Sequence, residues 1–176
     1  MAEYISPPVT LSFQNLLKPA PRGLGGAGDL AYSSAVIVSK AAQESPEFKK
    51  ILAAIEEIRA DKWPKAPAAS IKLPFRDCAE KEGIYAGYKA GDLFFNTWSK
   101  NKPEVIDADT NPIITADGVY SGQIVRMFVS PYAWENNGRK GISLALGNVQ
   151  ILKDGPRLDG KLPAANAFGV WKDDAA

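Results

Sequence analysis

The sequence contains no histidine. Histidine-bearing zinc sites, Ser-His-Asp triads and Cys-His nucleophile pairs are therefore excluded. It contains one cysteine, Cys78. No four-cysteine zinc site and no internal disulfide can form, and the usage suits a reducing compartment. Charge of one sign is also lacking: 21 Lys and Arg face 20 Asp and Glu, a net +1. The molecule as a whole exerts little pull on a polyanion, so any nucleic-acid binding needs cations gathered locally. No apolar run approaches the roughly 20 residues of a membrane span. The start, Met1-Ala2-Glu3-Tyr4, has neither the basic residues nor the apolar stretch of a leader peptide. These absences predict a cytoplasmic protein without membrane contact.

What is present fits one domain of 176 residues, long enough to bury a core without staples. Val9–Phe13 alternates apolar and polar residues and predicts a strand. Turn residues follow from Lys18 to Gly28. Tyr32–Lys40, with Ala35-Val36-Ile37-Val38 at its centre, predicts a buried strand. Ser45-Pro46-Glu47 is a helix start, with Ser45 as N-cap and Pro46 in the first turn. Phe48, Ile51, Leu52, Ile55 and Ile58 continue it at helical spacing, and Pro64 predicts its end near Lys62-Trp63. Further strands are predicted at Ile71–Phe75, Leu93–Trp98, within Val119–Tyr132 and at Ile142–Leu152, the last two separated by the turn Asn136-Asn137-Gly138. Five or six strands and one helix suit a small closed β-barrel better than a βαβ fold. Residues 161–176 predict a flexible C-terminal tail.

Several motifs carry no chemistry in this context. Gly23-Leu24-Gly25-Gly26-Ala27-Gly28 matches G-x-G-x-x-G, but a Pro-rich loop precedes it and a β-rich stretch follows, so it reads as a loop. Asp107-Ala108-Asp109-Thr110-Asn111 opens like a calcium loop, yet Pro112 and Gly118 stand where the turn glycine and the bidentate glutamate belong. Glu56 and Glu57 are helix neighbours and point apart. Cys78 reads as a structural thiol, although Arg76 beside it favours a lowered pKa. No cofactor and no catalytic residue is nominated.

Aromatic and basic residues interleave in three stretches. In the first, Phe94, Asn96, Trp98 and Lys100 share one strand face, with Lys102 beyond. In the second, Arg126, Phe128 and Ser130 share parity, and Tyr132 and Trp134 extend it if Pro131 leaves the strand intact. The third is the turn holding Arg139 and Lys140. A single strand of nucleic acid offers base faces and a repeating phosphate charge, so its binder needs rings for stacking and cations along the track. Val125, Met127 and Val129 supply an apolar opposite face. One packed face and one aromatic-basic face suit an OB-type binding sheet. Trp98, Tyr132 and Trp134 are the stacking candidates. Lys100, Lys102, Arg126, Arg139 and Lys140 are the phosphate candidates, with Lys40, Lys72 and Arg76 flanking. Each ring alone reads equally well as core. One alternative is a protein-interaction or virion module using the same face. A remoter one is a metal-dependent nuclease built on Asp107, Asp109 and Asp117.

Three segments, Ser99–Asp107, Val119–Arg126 and Gly138–Gln150, with Leu73–Asp77 and Tyr32-Ser33-Ser34 upstream, resemble a family of tailed-bacteriophage single-stranded DNA-binding proteins. The resemblance runs from about Val9 to Gly160. Val119-Tyr120-Ser121-Gly122 and Gly138–Gln150 are its most specific parts. It implies an OB-fold, five-stranded β-barrel with extended loops over residues 1–160, mainly β with one helix. It also implies sequence-nonspecific binding of single-stranded DNA in phage replication or recombination, in the host cytoplasm, without catalysis or cofactor. Members of such groups carry an acidic C-terminal tail that recruits replication proteins. Here the last seven residues hold only Asp173 and Asp174.

Overall fold

The computed structural model describes residues 2–22, 28–158 and 170–171. Nine strands and one α-helix run in the order β1 (Tyr4–Ile5), β2 (Val9–Pro21), β3 (Leu30–Val38), α1 (Pro46–Lys62), β4 (Ile71–Lys72), β5 (Arg76–Asp77), β6 (Leu93–Ser99), β7 (Val105–Ile106), β8 (Ile124–Asn136) and β9 (Arg139–Lys153). They form one sheet, β1-β8-β2-β3-β6-β9-β4. A further pairing of β8 with β9 closes β8, β2, β3, β6 and β9 into a ring. Only the β6–β9 joint of that ring is parallel.

The ring closes around side chains of one parity. Leu11, Val36, Phe95, Val125, Met127, Val129 and Leu144 are buried together inside it. Helix α1 adds Phe48, Ile51 and Ile55 to that cluster. Its start is as predicted: the Ser45 hydroxyl accepts from the Phe48 amide at 3.2 Å, and Pro46 opens the first turn. Leu52, read as part of the apolar stripe, lies on the exposed face instead. The stripe is narrower because only the i, i+3, i+7 residues reach the ring.

Three strands differ from their predicted extents. β2 does not stop at Phe13 but continues through the predicted turn stretch to Pro21. It does so by bulging, with register shifts between Ser12 and Asn15 and between Asn15 and Ala20. The extra residue changes the strand's phase. Leu11 and Leu16, of opposite parity, therefore both enter the core. Of the predicted strand Ile71–Phe75 only Ile71–Lys72 pairs, as β4 with β9, and β5 follows beyond its end at Arg76–Asp77, paired with β6. β8 runs on past Pro131, which stays in register opposite Leu144. The hairpin that follows turns at Asn137 (φ 50°) and Gly138 (φ 78°), the left-handed pair a tight two-residue turn needs. The Gly23–Gly28 loop lies outside the described residues except for Gly28. No helix among the described residues is long and apolar enough to cross a membrane.

Candidate nucleic-acid interface

On β6 the alternation works as predicted: Phe95 and Thr97 face the ring interior, while Phe94, Asn96 and Trp98 face outward. Trp98 belongs to a row of outward positions that crosses all five ring strands, Asn15–Ser33–Trp98–Ala145–Ser130. Its neighbours in that row are small or polar. The indole therefore stands over a low floor.

The segment Cys78–Asp92 folds over the same outer face. Cys78 and Tyr88 are buried with Ile37 and Phe94 in a second cluster on the outside of the sheet. Tyr88 donates its hydroxyl to the Ser12 hydroxyl at 3.0 Å. A chain of edge-on rings leads outward from there. Phe94 meets Tyr88 at 5.3 Å, Tyr88 meets Tyr85 at 5.8 Å, and Tyr85 meets Phe13 at 4.9 Å between centroids. Both outer rings are exposed, Phe13 by 54% and Tyr85 by 42%.

Two depressions flank that last ring pair. The first, about 560 Å³, holds Trp98, Arg22, Arg76 and Lys81. The second, about 510 Å³, holds Tyr120, Arg157 and Leu158. Phe13, Asn15 and Tyr85 line both. Neither is lined by a carboxylate among the described residues. In a chain with 20 acids and a net +1, that segregation concentrates positive potential on one face. Each cation lies against a ring. The Arg22 guanidinium carbon is 3.4 Å from the Trp98 ring centroid, Arg76 is 5.2 Å from Phe94, Lys81 is 5.9 Å from Tyr85, and Arg157 is 4.5 Å from Tyr120. Arg76 also pairs with Glu80 at 2.5 Å. Both partners are nearly half exposed, so the pair is worth at most about 1 kcal/mol and exchanges readily for another anion.

The residues nominated from sequence fall into separate groups. Trp98 and Arg76 share the first depression. Lys100 and Lys102 are exposed just beyond the Trp98 end of β6. Tyr132, Trp134, Arg139 and Lys140 lie on the β8–β9 hairpin, with Lys72 opposite Gly141 on β4. One face of the Trp134 ring is covered by its own hairpin: a Cβ added at Gly141 would lie 2.3 Å from the ring. Its indole nitrogen donates to Ser143 at 2.9 Å. Arg126 stands apart, its Nε donating to Gln150 at 2.7 Å beside a separate depression that Glu104 also lines. Lys40 lies past the opposite end of β3, its amide donating to Asp92. Phe13, Arg22, Lys81, Tyr85 and Tyr120 were not nominated from sequence.

Of the acids of the nuclease alternative, Asp107 serves its own turn. The Asp107 carboxylate accepts from the amides of Asp109 and Asn111, closing its own loop, and Asp117 is exposed in a 3-10 turn. Cys78 is buried, as a structural thiol is, and Arg76 does not lower its pKa. Burial, with Asp92 and Asp77 nearby, pushes the thiol up to about 11. Below about pH 7.5 the thiol is protonated in both the folded and the unfolded chain, and at pH 8 only the unfolded chain carries an appreciable thiolate fraction. Between about 9 and 11 only the unfolded chain's thiol ionises, so it stabilises the unfolded state and stability falls as pH rises. A disulfide reagent at pH 8 is accordingly expected to label Cys78 slowly in the folded protein and promptly after denaturation. Equal rates in the two states would contradict this burial.

Comparison with known proteins places the chain in a family. The profile of the family described as "Enterobacter phage Enc34, ssDNA-binding protein" matches residues 3–176. Putative protein p50 of Acyrthosiphon pisum secondary endosymbiont phage 1 is 33% identical over 162 residues, covering 86% of this chain and 84% of its own. Among solved structures, the single-stranded DNA-binding protein of bacteriophage Enc34 in complex with ssDNA superposes with a TM-score of 0.72. It is 20% identical, and 88% of each chain is covered. The bacteriophage T7 single-stranded DNA-binding protein gp2.5 superposes at 0.59 with 14% identity, over 93% of this chain and 98% of the other. At those identities the superpositions speak to the fold, while the profile and the p50 relative speak to descent. This chain belongs to the Enc34 family of phage single-stranded DNA-binding proteins.

Proposed function

We propose that this chain binds single-stranded DNA without catalysis or cofactor, and that the strand lies in the groove formed by the two depressions. The observation that carries this reading is the groove itself. Rings and cations converge there, and no acid among the described residues lines it. Bases stack on Trp98, Phe13, Tyr85 and Tyr120, and phosphates pair with Arg22, Arg76 and Lys81. Stacking accepts every base, so sequence preference is slight. The topology supports an OB-type barrel. The ring joins β6 to β9 in parallel and its other neighbours antiparallel, and the outer face of its central strands carries the groove, as OB folds arrange their ligand.

The remaining nominees take lesser roles in this reading. Lys100 and Lys102 extend the cationic track at the Trp98 end. Tyr132, Trp134, Lys72, Arg139 and Lys140 form a second contact patch beyond Ala145. Arg126 and Lys40 make no contact with the strand. Residues 1–160 act as one OB-type domain, and the segment 161–176, which holds Asp173 and Asp174, recruits phage replication proteins. The setting is the host cytoplasm during replication or recombination.

Titration with oligo-dT, followed by tryptophan fluorescence, tests the reading. Trp98 emission should quench on binding. Three phosphate contacts predict that log K falls with log salt at a slope of at least about −2, from about −0.7 per neutralised phosphate on a single strand. Absence of binding at low salt would sink the proposal.

A further inference from the structure

Phe13 combines three properties rarely found together. It is an aromatic residue at φ 46°, the left-handed region that bulky side chains avoid. The residue is exposed, at 54%. It also stands on the boundary between the two depressions and lines both. Conformations of that kind persist where surrounding structure holds them, and they gather at binding sites. Here the holding structure is visible. The bulge in β2 shifts the strand's phase so that Leu11 and Leu16 are both buried in the core, on either side of Phe13. The ring chain Phe94–Tyr88–Tyr85, anchored by the Tyr88–Ser12 hydrogen bond, fixes the partner of Phe13 from the other side. The exposed Phe13–Tyr85 pair is thus a rigid ridge across the groove.

We propose that this ridge is a wedge. Phe13 and Tyr85 enter between two neighbouring bases of the bound strand and divide its stack into two segments. One segment lies on the Trp98 side and the other on the Tyr120 side. The inference rests on the groove reading above and adds to it the path of the strand. A strand continuously stacked along the groove has no room at the ridge, because the two rings meet edge to face at 4.9 Å and block a direct passage between the depressions. The bound strand therefore bends there, and its two segments are read by different rings. The wedge inserts into any step, so it contributes no sequence preference. It sets the spacing of the bound bases instead.

The test uses a duplex carrying a single-stranded overhang whose length equals the measured site, so that the junction fixes register. Two adjacent 2-aminopurines are walked along the overhang. Their exciton-coupled circular dichroism, outside protein absorption, reports stacking at each step. With the wild-type protein the signal should be lost on binding at one internal step and kept at the steps on either side. Phe13→Gly removes the ring and suits the backbone at φ 46°, so its thermal midpoint should not fall. Phe13→Asn, which also tolerates that conformation, serves as the second variant. Both should bind the overhang and restore the exciton signal at the lost step. A signal kept at every step with the wild type would overturn the wedge. So would a lost step that persists in both variants. Failure of the wild type to bind the overhang at all would instead overturn the groove reading.

Discussion

Trp98→Ala is expected to weaken oligo-dT binding roughly five- to hundredfold, the equivalent of about 1–3 kcal/mol for a stacked base. Its thermal midpoint should move little, because Trp98 faces outward over Ser33 and Ala145 and belongs to neither buried cluster. The residue three positions earlier gives the contrast. Phe95 is 2% exposed, faces the ring interior and meets Phe75 at 5.5 Å. Phe95→Ala should cost about 3–5 kcal/mol of stability, as buried aromatic truncations do. Its effect on DNA should follow only from unfolding. Fluorescence anisotropy and thermal melts of the two variants separate the faces of one strand. A Trp98→Ala protein that melts like Phe95→Ala would show that the indole is core.

The second large effect concerns charge. The triple variant Arg22→Ala, Arg76→Ala, Lys81→Ala should lose about two units of the log–log salt slope. That amounts to roughly a hundredfold in affinity near 0.1 M salt, at about 0.7 per phosphate contact. The loss should shrink as salt rises and vanish near 1 M. Folding should tolerate the change. The cations lie at the surface, and the pairing of Arg76 with Glu80 is exposed. A parallel variant with Arg126→Ala and Lys40→Ala should leave the slope unchanged. Arg126 donates to Gln150 beside a separate depression, and Lys40 lies beyond the far end of β3. An unchanged slope in the triple variant would move the phosphate track elsewhere.

Much of this geometry was legible residue by residue. Alternation on Leu93–Trp98 fixed which face Trp98 takes, because neighbouring strand residues must point to opposite sides. Ser45-Pro46 marked the helix start, and Asn137-Gly138 marked the hairpin. Phe94 shows where parity stops being enough. It shares a face with Trp98, yet it is buried because Tyr88, six residues back, folds onto it. That cover is tertiary and leaves no local pattern. Phe13 was hidden for a related reason. It ends an alternating run and so reads as one more strand residue, while the bulge that turns it outward, and lets both Leu11 and Leu16 reach the core, leaves no mark in the alternation. Tyr85 lies in a segment with no strand or helix period. The available signal was composition: two tyrosines spaced among Gly83, Gly87 and Gly91, all at positive φ. Arg126 stands apart from the groove for a reason parity does not show. Its parity is outward, but β8 is long, and Arg126 lies toward the end that pairs with β1 and β2, away from the hairpin.

The most direct test of where the strand lies is ultraviolet cross-linking of the protein to oligo-dT, with the cross-linked residues identified by mass spectrometry. The groove predicts cross-links at Phe13, Tyr85 and Trp98, each competed away by unlabelled single strand and weakened by salt. Cross-links confined to Phe128, Tyr132 and Trp134, with Phe13, Tyr85 and Trp98 unmarked, would contradict it.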